Sequence, residues 1–325
     1  MDRTLAWVHA QLRPGERVVS EEPLRGGWTS SMRRFGVRGP DGARDLVLRS
    51  FETAFFRRHA PGLLRREADV LTLLAGTGIA AAGLVAVDTT GEHCTHPSLL
   101  MTRLPGTLRL TDEGADARAV LLAQQLVDIH SVPVSTGDRP RAYQAWSAPD
   151  RVRIPEATRR PALWRRAVDV IRRDAPAHQG RFLHRDFHPG NVLFHRDPSG
   201  QVRISGVVDW VETSWGPADL DVSHCATALA LLHGAAAGLR FPGLYASAGG
   251  QQAADPDDRL YWRLLDALGF APDAEKVAGP WRECGRPDLT ASLAAARLED
   301  YLQGLLDAHP LPASRPRGRP EREGR

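Results

Sequence analysis

The sequence predicts an α+β protein of two lobes, a small strand-rich one followed by a larger, mainly helical one. Three observations carry this. Most of the short β-type runs, separated by glycine and proline turns, fall within residues 18–103, ahead of a break at Pro105 and Gly106. Beyond that break the chain reads as successive helical stretches. The 325 residues are 42% hydrophobic and 25% charged, a globular composition that suits about two domains at roughly 150 residues each. The expected division is an N-terminal lobe at 1–103, a C-terminal lobe at 104–310 and a disordered Arg/Pro tail at 311–325.

Residues 18 to 50 read as strands. A glycine and hydroxyl turn, Leu24 to Ser31, leads into Met32 to Val37; a second turn spans Gly39 to Gly42, and Leu46 to Ser50 follows. Pro61 fits the first turn of a helix reaching about Ala75, with Leu64, Ala68, Leu71, Leu74 and Ala75 as its apolar stripe. Gly76 and Gly78 end it, and Leu84 to Asp88 and Ser98 to Arg103 read as further strands. Helices are expected at Ala115 to His130, Pro161 to Asp174, Asp219 to Gly234, Pro256 to Leu268 and Thr290 to His309. A hairpin from Val192 to Val211, centred on Asp197 to Gly200, interrupts them.

Charge and cysteine content exclude several classes. The last twelve residues hold five Arg and two Glu, and without them basic and acidic residues balance. The +3 charge is therefore a property of the tail, a solvated end without an aromatic residue to stack on a base, and no specific nucleic-acid partner is expected. No run approaches the ~20 apolar residues of a membrane helix, and Ile79 to Val87 is short and alanine-rich. Cys94, Cys225 and Cys284 are distant and odd in number, against a disulfide framework. The N-terminus lacks the apolar core of a secretory signal. A cytoplasmic protein without membrane association is expected; the sequence is silent on its oligomeric state.

The densest chemistry lies in the run Leu183 to Phe194 (LHRDFHPGNVLF), answered by Gly206 to Trp210 (GVVDW). If the hairpin runs outward from Val192 and returns through Val208, Asn191 and Asp209 meet at its open end. An amide oxygen and a carboxylate suit a hard cation such as Mg²⁺. Asp186, five residues before Asn191, falls beside that metal without being its ligand, a geometry suited to phosphoryl transfer.

This pattern resembles the H-x-D-x-x-x-x-N catalytic loop and metal-binding Asp of the aminoglycoside phosphotransferase-like family, small-molecule kinases within the protein-kinase-like fold. The resemblance runs over most of residues 20 to 305 and is most specific at 183 to 221. It implies Asp186 as catalytic base, Asn191 and Asp209 as Mg²⁺ ligands, and ATP, with GTP as the alternative, as phosphate donor. Trp210 follows the metal Asp where protein kinases have Phe-Gly. Gly216 to Asp221 looks like the family's G-x-x-x-D-L element, in which Asp219 is expected to brace the catalytic loop.

In the N-terminal lobe, Gly26, Gly27, Ser30 and Ser31 offer amides and hydroxyls to phosphates. Lys276 is the only lysine of the chain, so Arg49, ending the strand, stands where the resemblance expects a lysine. Arg keeps the charge, but its planar fork is not equivalent to an ammonium. At 100° per residue Glu67 falls on the apolar arc of the 61–75 helix and Asp69 on the opposite face. A carboxylate facing inward needs a partner, and Arg49 is the expected one. The resemblance further makes residues 101 to 106 the hinge, with the backbone of Met101 to Arg103 reading the adenine edge.

The acceptor is expected to be a small hydroxylated molecule, an aminoglycoside, another antibiotic or a metabolite. Asp255, Asp257, Asp258, Asp266, Glu283, Glu299 and Asp300 are candidate contacts for a cationic acceptor. Trp215, Tyr261, Trp262 and Trp281 are candidate walls for an apolar one. Two other readings compete: a nucleotide-binding pseudokinase, suggested by Arg49, and a metal-dependent hydrolase built on His184, Asp186 and His188.

Overall fold

The computed structural model describes residues 2–24 and 29–309, so Gly26, Gly27 and the 311–325 tail lie outside the described residues. A short helix, α1 (Arg3–Ala10), precedes the strands β1 (Arg17–Leu24), β2 (Ser31–Gly39) and β3 (Gly42–Ser50). Helix α2 (Ala54–Leu74) then leads to β4 (Leu84–Asp88) and β5 (Ser98–Thr102). These strands form one antiparallel sheet in the order β1-β2-β3-β5-β4. Strand alternation gives β3 two faces. Leu46 and Leu48 pack with Trp7 and Val8 of α1, while Arg49 turns to the face covered by α2.

Helix α2 begins seven residues before the expected start at Pro61, which sits inside the helix. Proline lacks only one intrahelical hydrogen bond, and the added turns bring Phe56 against Phe51, with ring centroids 6.0 Å apart.

Beyond β5 the chain is mainly helical, with α3 (Ala115–His130), α4 (Pro161–Val170), α5 (Ala218–His233), α6 (Ala235–Ser247), α7 (Pro256–Leu268), α8 (Glu275–Glu283) and α9 (Ala291–Asp307). Two antiparallel strand pairs are set among them. Strand β6 (Arg181–Leu183) pairs with β9 (Ser214–Gly216), and the expected hairpin is β7 (Val192–Arg196) with β8 (Val202–Val207). Every residue of α5 from Ala218 to Leu232 is buried, making it the axis on which α6, α7 and α9 pack. The segment after β5 is stitched to the hairpin by Thr107 and Phe194, which exchange amide hydrogen bonds of 3.0 and 2.9 Å. Gly106 (φ +97°) makes that approach possible, since a Cβ there would meet the Phe194 carbonyl oxygen at 2.7 Å.

Candidate active site

Strand β6 delivers the chain into a loop, His184 to His188, that closes in a tight turn at Pro189–Asn191 before β7. Its first amides, of His184 and Arg185, each donate to the fully buried Asp221 carboxylate at 2.8 Å. The brace is therefore Asp221 and not the expected Asp219, whose carboxylate accepts instead from the Ala253 amide at 2.9 Å. Two residues apart on a helix is about 200°, so only one of the pair can face the loop. Arg185 takes φ +73°, and its guanidinium lies 4.4 Å over the Trp146 ring. Asp209 has φ +66°. Non-glycine residues in this region are strained and persist where surrounding contacts fix them.

Asp186 and Asn191 face one another. The Asn191 amide nitrogen donates to the Asp186 carbonyl at 2.9 Å and to its Oδ2 at 3.0 Å. Across the hairpin, the Val208 amide donates to the Asn191 carbonyl at 3.0 Å, so Asn191 and Asp209 share the open end. Burial alone would raise the Asp186 pKa. The neighbouring His188 ring, the hydrogen bond and charge of His224, and the His184 ring outweigh it and hold the carboxyl well below the usual range.

Arg49 closes the other side. Its Nη1 lies 3.0 Å from both Glu67 oxygens and 2.9 Å from Asp209 Oδ1, its Nη2 is 3.2 Å from Asp209 Oδ2, and its Nε donates to Ser30 Oγ at 3.1 Å. The inward phase of Glu67 is as its helical position predicts. Burial opposes the Arg49 charge, but Asp209 and Glu67 more than offset it and its pKa rises. Burial raises that of Glu67 against the pull of Arg49.

The remaining nucleotide candidates fare unevenly. Ser30 is engaged by Arg49, and the Ser31 hydroxyl donates to Glu52. Met101 is half-buried within β5, paired on both sides with Val47 and Leu84, and the Thr102 amide donates to the Gly83 carbonyl. The Arg103 amide donates to the Asp45 carbonyl at 3.1 Å while its side chain pairs with the Asp45 carboxylate at the same distance. Among the described residues, the Leu104 amide is the first after β5 without an intramolecular partner.

The hydrolase set does not assemble as expected. His184 accepts from the Asp186 amide through Nδ1 and donates to the Val208 carbonyl through Nε2, and its buried ring is held neutral. A residue not foreseen, His224 of α5, joins Asp186 and His188, the ligand-capable atoms of all three lying within 4.8 Å of one another. His188 Nδ1 accepts from the Gly190 amide, which leaves the hydrogen on Nε2, and both His224 nitrogens face carboxylates, Asp186 at 3.1 Å and Asp266 at 3.0 Å. Neither ring offers zinc a lone pair. The signal for His224 was present: a histidine and an aspartate inside two apolar helices each need a buried partner.

The acidic candidates do not ring Asp186. Asp255 caps α7, Asp258 pairs with Arg173, Glu299 accepts from Trp164 Nε1, Asp300 pairs with Arg160, and Asp266 holds His224. Asp257 and Glu283 are exposed on α7 and α8. Of the aromatic candidates, Trp281 approaches the site, 6.0 Å from the His188 ring. Trp215 and Tyr261 instead carry Arg139 and Arg173 over their faces, and Trp262 is buried beside Tyr143. The 42%-exposed Trp146, edge-on to His224 at 5.1 Å, was missed. A groove of about 750 Å³ between α2 and the 133–141 segment is lined by none of Asp186, Asn191 and Asp209.

Comparison with known proteins bears on the fold and the family. The fold is shared with an assigned aminoglycoside phosphotransferase of Ralstonia eutropha JMP134, at 18% identity and TM-score 0.61, over 93% of this chain and 97% of that one. It is shared with the macrolide 2′-phosphotransferase MphH of Brachybacterium faecium, at 18% identity and TM-score 0.53, over 90% and 97% of the two chains. The aminoglycoside phosphotransferase APH(4)-Ia, of which a thermostable mutant was solved with ADP and hygromycin B, matches at 17% identity and TM-score 0.58, over 90% and 95%. No curated protein is significantly similar in sequence. The profile of the phosphotransferase enzyme family (APH) matches residues 20–258, and to that family the chain belongs.

Proposed function

We propose that the protein transfers the γ-phosphoryl group of ATP to a hydroxyl of a small molecule, with Asp186 as the base. The observation that carries this is the Asp186–Asn191 pair, hydrogen-bonded at 3.0 Å in a loop anchored on Asp221, with Asp209 across the hairpin end. In phosphoryl transfer the protein's work is placement and charge stabilisation. Asp186 aligns the acceptor hydroxyl and takes its proton. Arg49, fixed by Glu67, Asp209 and Ser30, supplies a buried cation beside the phosphates, with one Nη2 hydrogen beyond its protein contacts.

The donor set fits Mg²⁺. The Asn191 amide nitrogen is engaged by Asp186, which leaves its oxygen for a hard cation, and each Asp209 oxygen keeps a lone pair beyond its Arg49 contact. Asn191 and Asp209 would hold the ion, which when bound neutralises charge on the phosphates. The ADP complex of the APH(4)-Ia mutant supports a nucleotide as phosphate donor; after β5, among the described residues, Leu104 and not Arg103 offers it a free amide. Retention of Asp186, Asn191 and Asp209 around one cleft argues against a pseudokinase.

For the acceptor we infer an uncharged or anionic molecule with a flat apolar face. Five of the seven acidic candidates are engaged elsewhere and Asp257 and Glu283 lie on exposed faces of α7 and α8, while Trp146 and the cationic Arg185 and His224 border Asp186. No helix among the described residues is long and apolar enough to cross a membrane, and an ATP donor accords with a cytoplasmic location. The test is a screen of hydroxylated metabolites and antibiotics for acceptor-stimulated ADP or GDP release with Mg²⁺. Turnover with an acceptor, abolished in Asp186→Ala, is expected; full turnover in that variant would overturn the assignment.

A further inference from the structure

We propose that His224 is a positioning residue for Asp186, itself held by Asp266; the inference rests on the phosphotransferase reading of the site. His224 rises from the second turn of α5, and its Nε2 lies 3.1 Å from Asp186 Oδ1. Its Nδ1 lies 3.0 Å from Oδ1 of Asp266 on α7, whose other oxygen is 2.7 Å from the Thr227 hydroxyl. Ionised carboxylates only accept hydrogen bonds, so a ring set between two of them carries hydrogen on both nitrogens. Three further rings fix its plane: Trp146 edge-on at 5.1 Å, Phe270 stacked at 6.0 Å and His188 at 5.7 Å.

The consequence falls on the Asp186 side chain. Its Oδ2 is tied to Asn191 at 3.0 Å and its Oδ1 to His224. His188 Nε2 is 3.7 Å from the same oxygen, too long for a hydrogen bond. Asn191 belongs to the same loop as Asp186 and moves with it. His224 stands on a fully packed helix, so it is the contact that fixes the carboxylate relative to the body of the protein. A buried charge kept between the buried Asp266 and the part-exposed Asp186 is costly, and a packing role at this position on an apolar helix is met by leucine.

Two amide substitutions separate the roles. Glutamine can place an N–H near the position of the ring Nε2, toward Asp186, and asparagine near that of Nδ1, toward Asp266. With ATP–Mg²⁺ as probe and water as acceptor, Asp186-dependent ADP release should stay within about threefold of wild type in His224→Gln. It should fall on the order of 10- to 100-fold in His224→Asn, the range expected when a catalytic group loses its placement. KM for ATP and the thermal shift given by ATP should be unchanged in both. Equal rates in the two variants, losses that follow melting temperature, or a rise in KM would overturn the positioning role with phosphotransfer intact. Stoichiometric zinc in the wild type, lost in His224→Gln, would overturn it in favour of a metal site. Absence of Asp186-dependent ADP release in the wild type, both with water and with every acceptor of the screen, would overturn the phosphotransferase reading and this proposal with it.

Discussion

Replacing Arg49 with methionine is the most informative stability test of the cleft. Arg49 and Glu67 are 5% and 2% exposed, and the guanidinium is the cation that compensates the Glu67 carboxylate. Removing one partner of a buried pair costs about 3–5 kcal/mol, because the other is left uncompensated. The Asp209 contact adds little to this, its side chain being 34% exposed and screened by water. At about 2–4 °C per kcal/mol for chains somewhat smaller than this one, the melting temperature should fall on the order of 10 °C by calorimetry. The deficit has a pH sign. Without Arg49 the buried Glu67 carboxyl is pushed still further above its ordinary pKa, so the folded state retains over a wider pH range a proton that the unfolded state loses as pH rises. The variant should therefore be further below wild type at pH 8 than at pH 5. Adding Glu67→Gln should recover much of the stability and none of the activity. A melting temperature within about 2 °C of wild type for Arg49→Met would show that the pair does not hold α2 to the sheet.

Other outcomes follow from the same contacts. Asp221→Ala should cost about 2–4 kcal/mol by leaving the His184 and Arg185 amides unpaired, well beyond the loss in Asp219→Ala, as denaturant titration of the two can compare. His224, opposed by burial but raised by Asp266 and Asp186 to about 10, gives stability present below pH 6.5 and lost as pH rises toward 10. Wild-type stability should fall across that interval, by up to ~1.4 kcal/mol per pH unit, and His224→Gln should flatten the decline. Burial lowers His188 to about 4, so its neutral form favours the fold above pH 6.5 and is lost as pH falls toward 4; His188→Gln should soften the acid side. In the acceptor screen, polycationic aminoglycosides should give KM values on the order of tenfold above neutral acceptors bearing a flat apolar face, a difference that Trp146→Ala should erase.

What could be read before folding was whatever the chain states locally. The apolar spacing and polar flanks of Ala115 to His130 and Pro256 to Leu268 mark both helices to the residue. The turn at Asp197 to Gly200 places Asn191 beside Asp209, and the phase of Glu67 on its helix suffices to aim it at Arg49. Helix α6 escaped because alanine, glycine and Pro242 leave no stripe, and α8 because Pro280 lies inside it. The contacts that complete the cleft join distant positions, Arg49 to Asp209 and His224 to Asp186 and Asp266, and no local period announces them. The Asp219 assignment failed for a related reason: two aspartates on one helical turn differ only in which one the packing of α5 turns toward the loop.

As proposed, the 186, 191 and 209 side chains form one phosphoryl-transfer site. Its most direct measurement follows labelled γ-phosphate from ATP, with Mg²⁺, into an acceptor for wild type and Asp186→Asn under conditions where both bind nucleotide equally. A labelled acceptor is expected with wild type and a loss of on the order of a thousandfold or more with the variant, as for removal of a residue that acts on the reacting atoms. Equal labelling by the two proteins would contradict it.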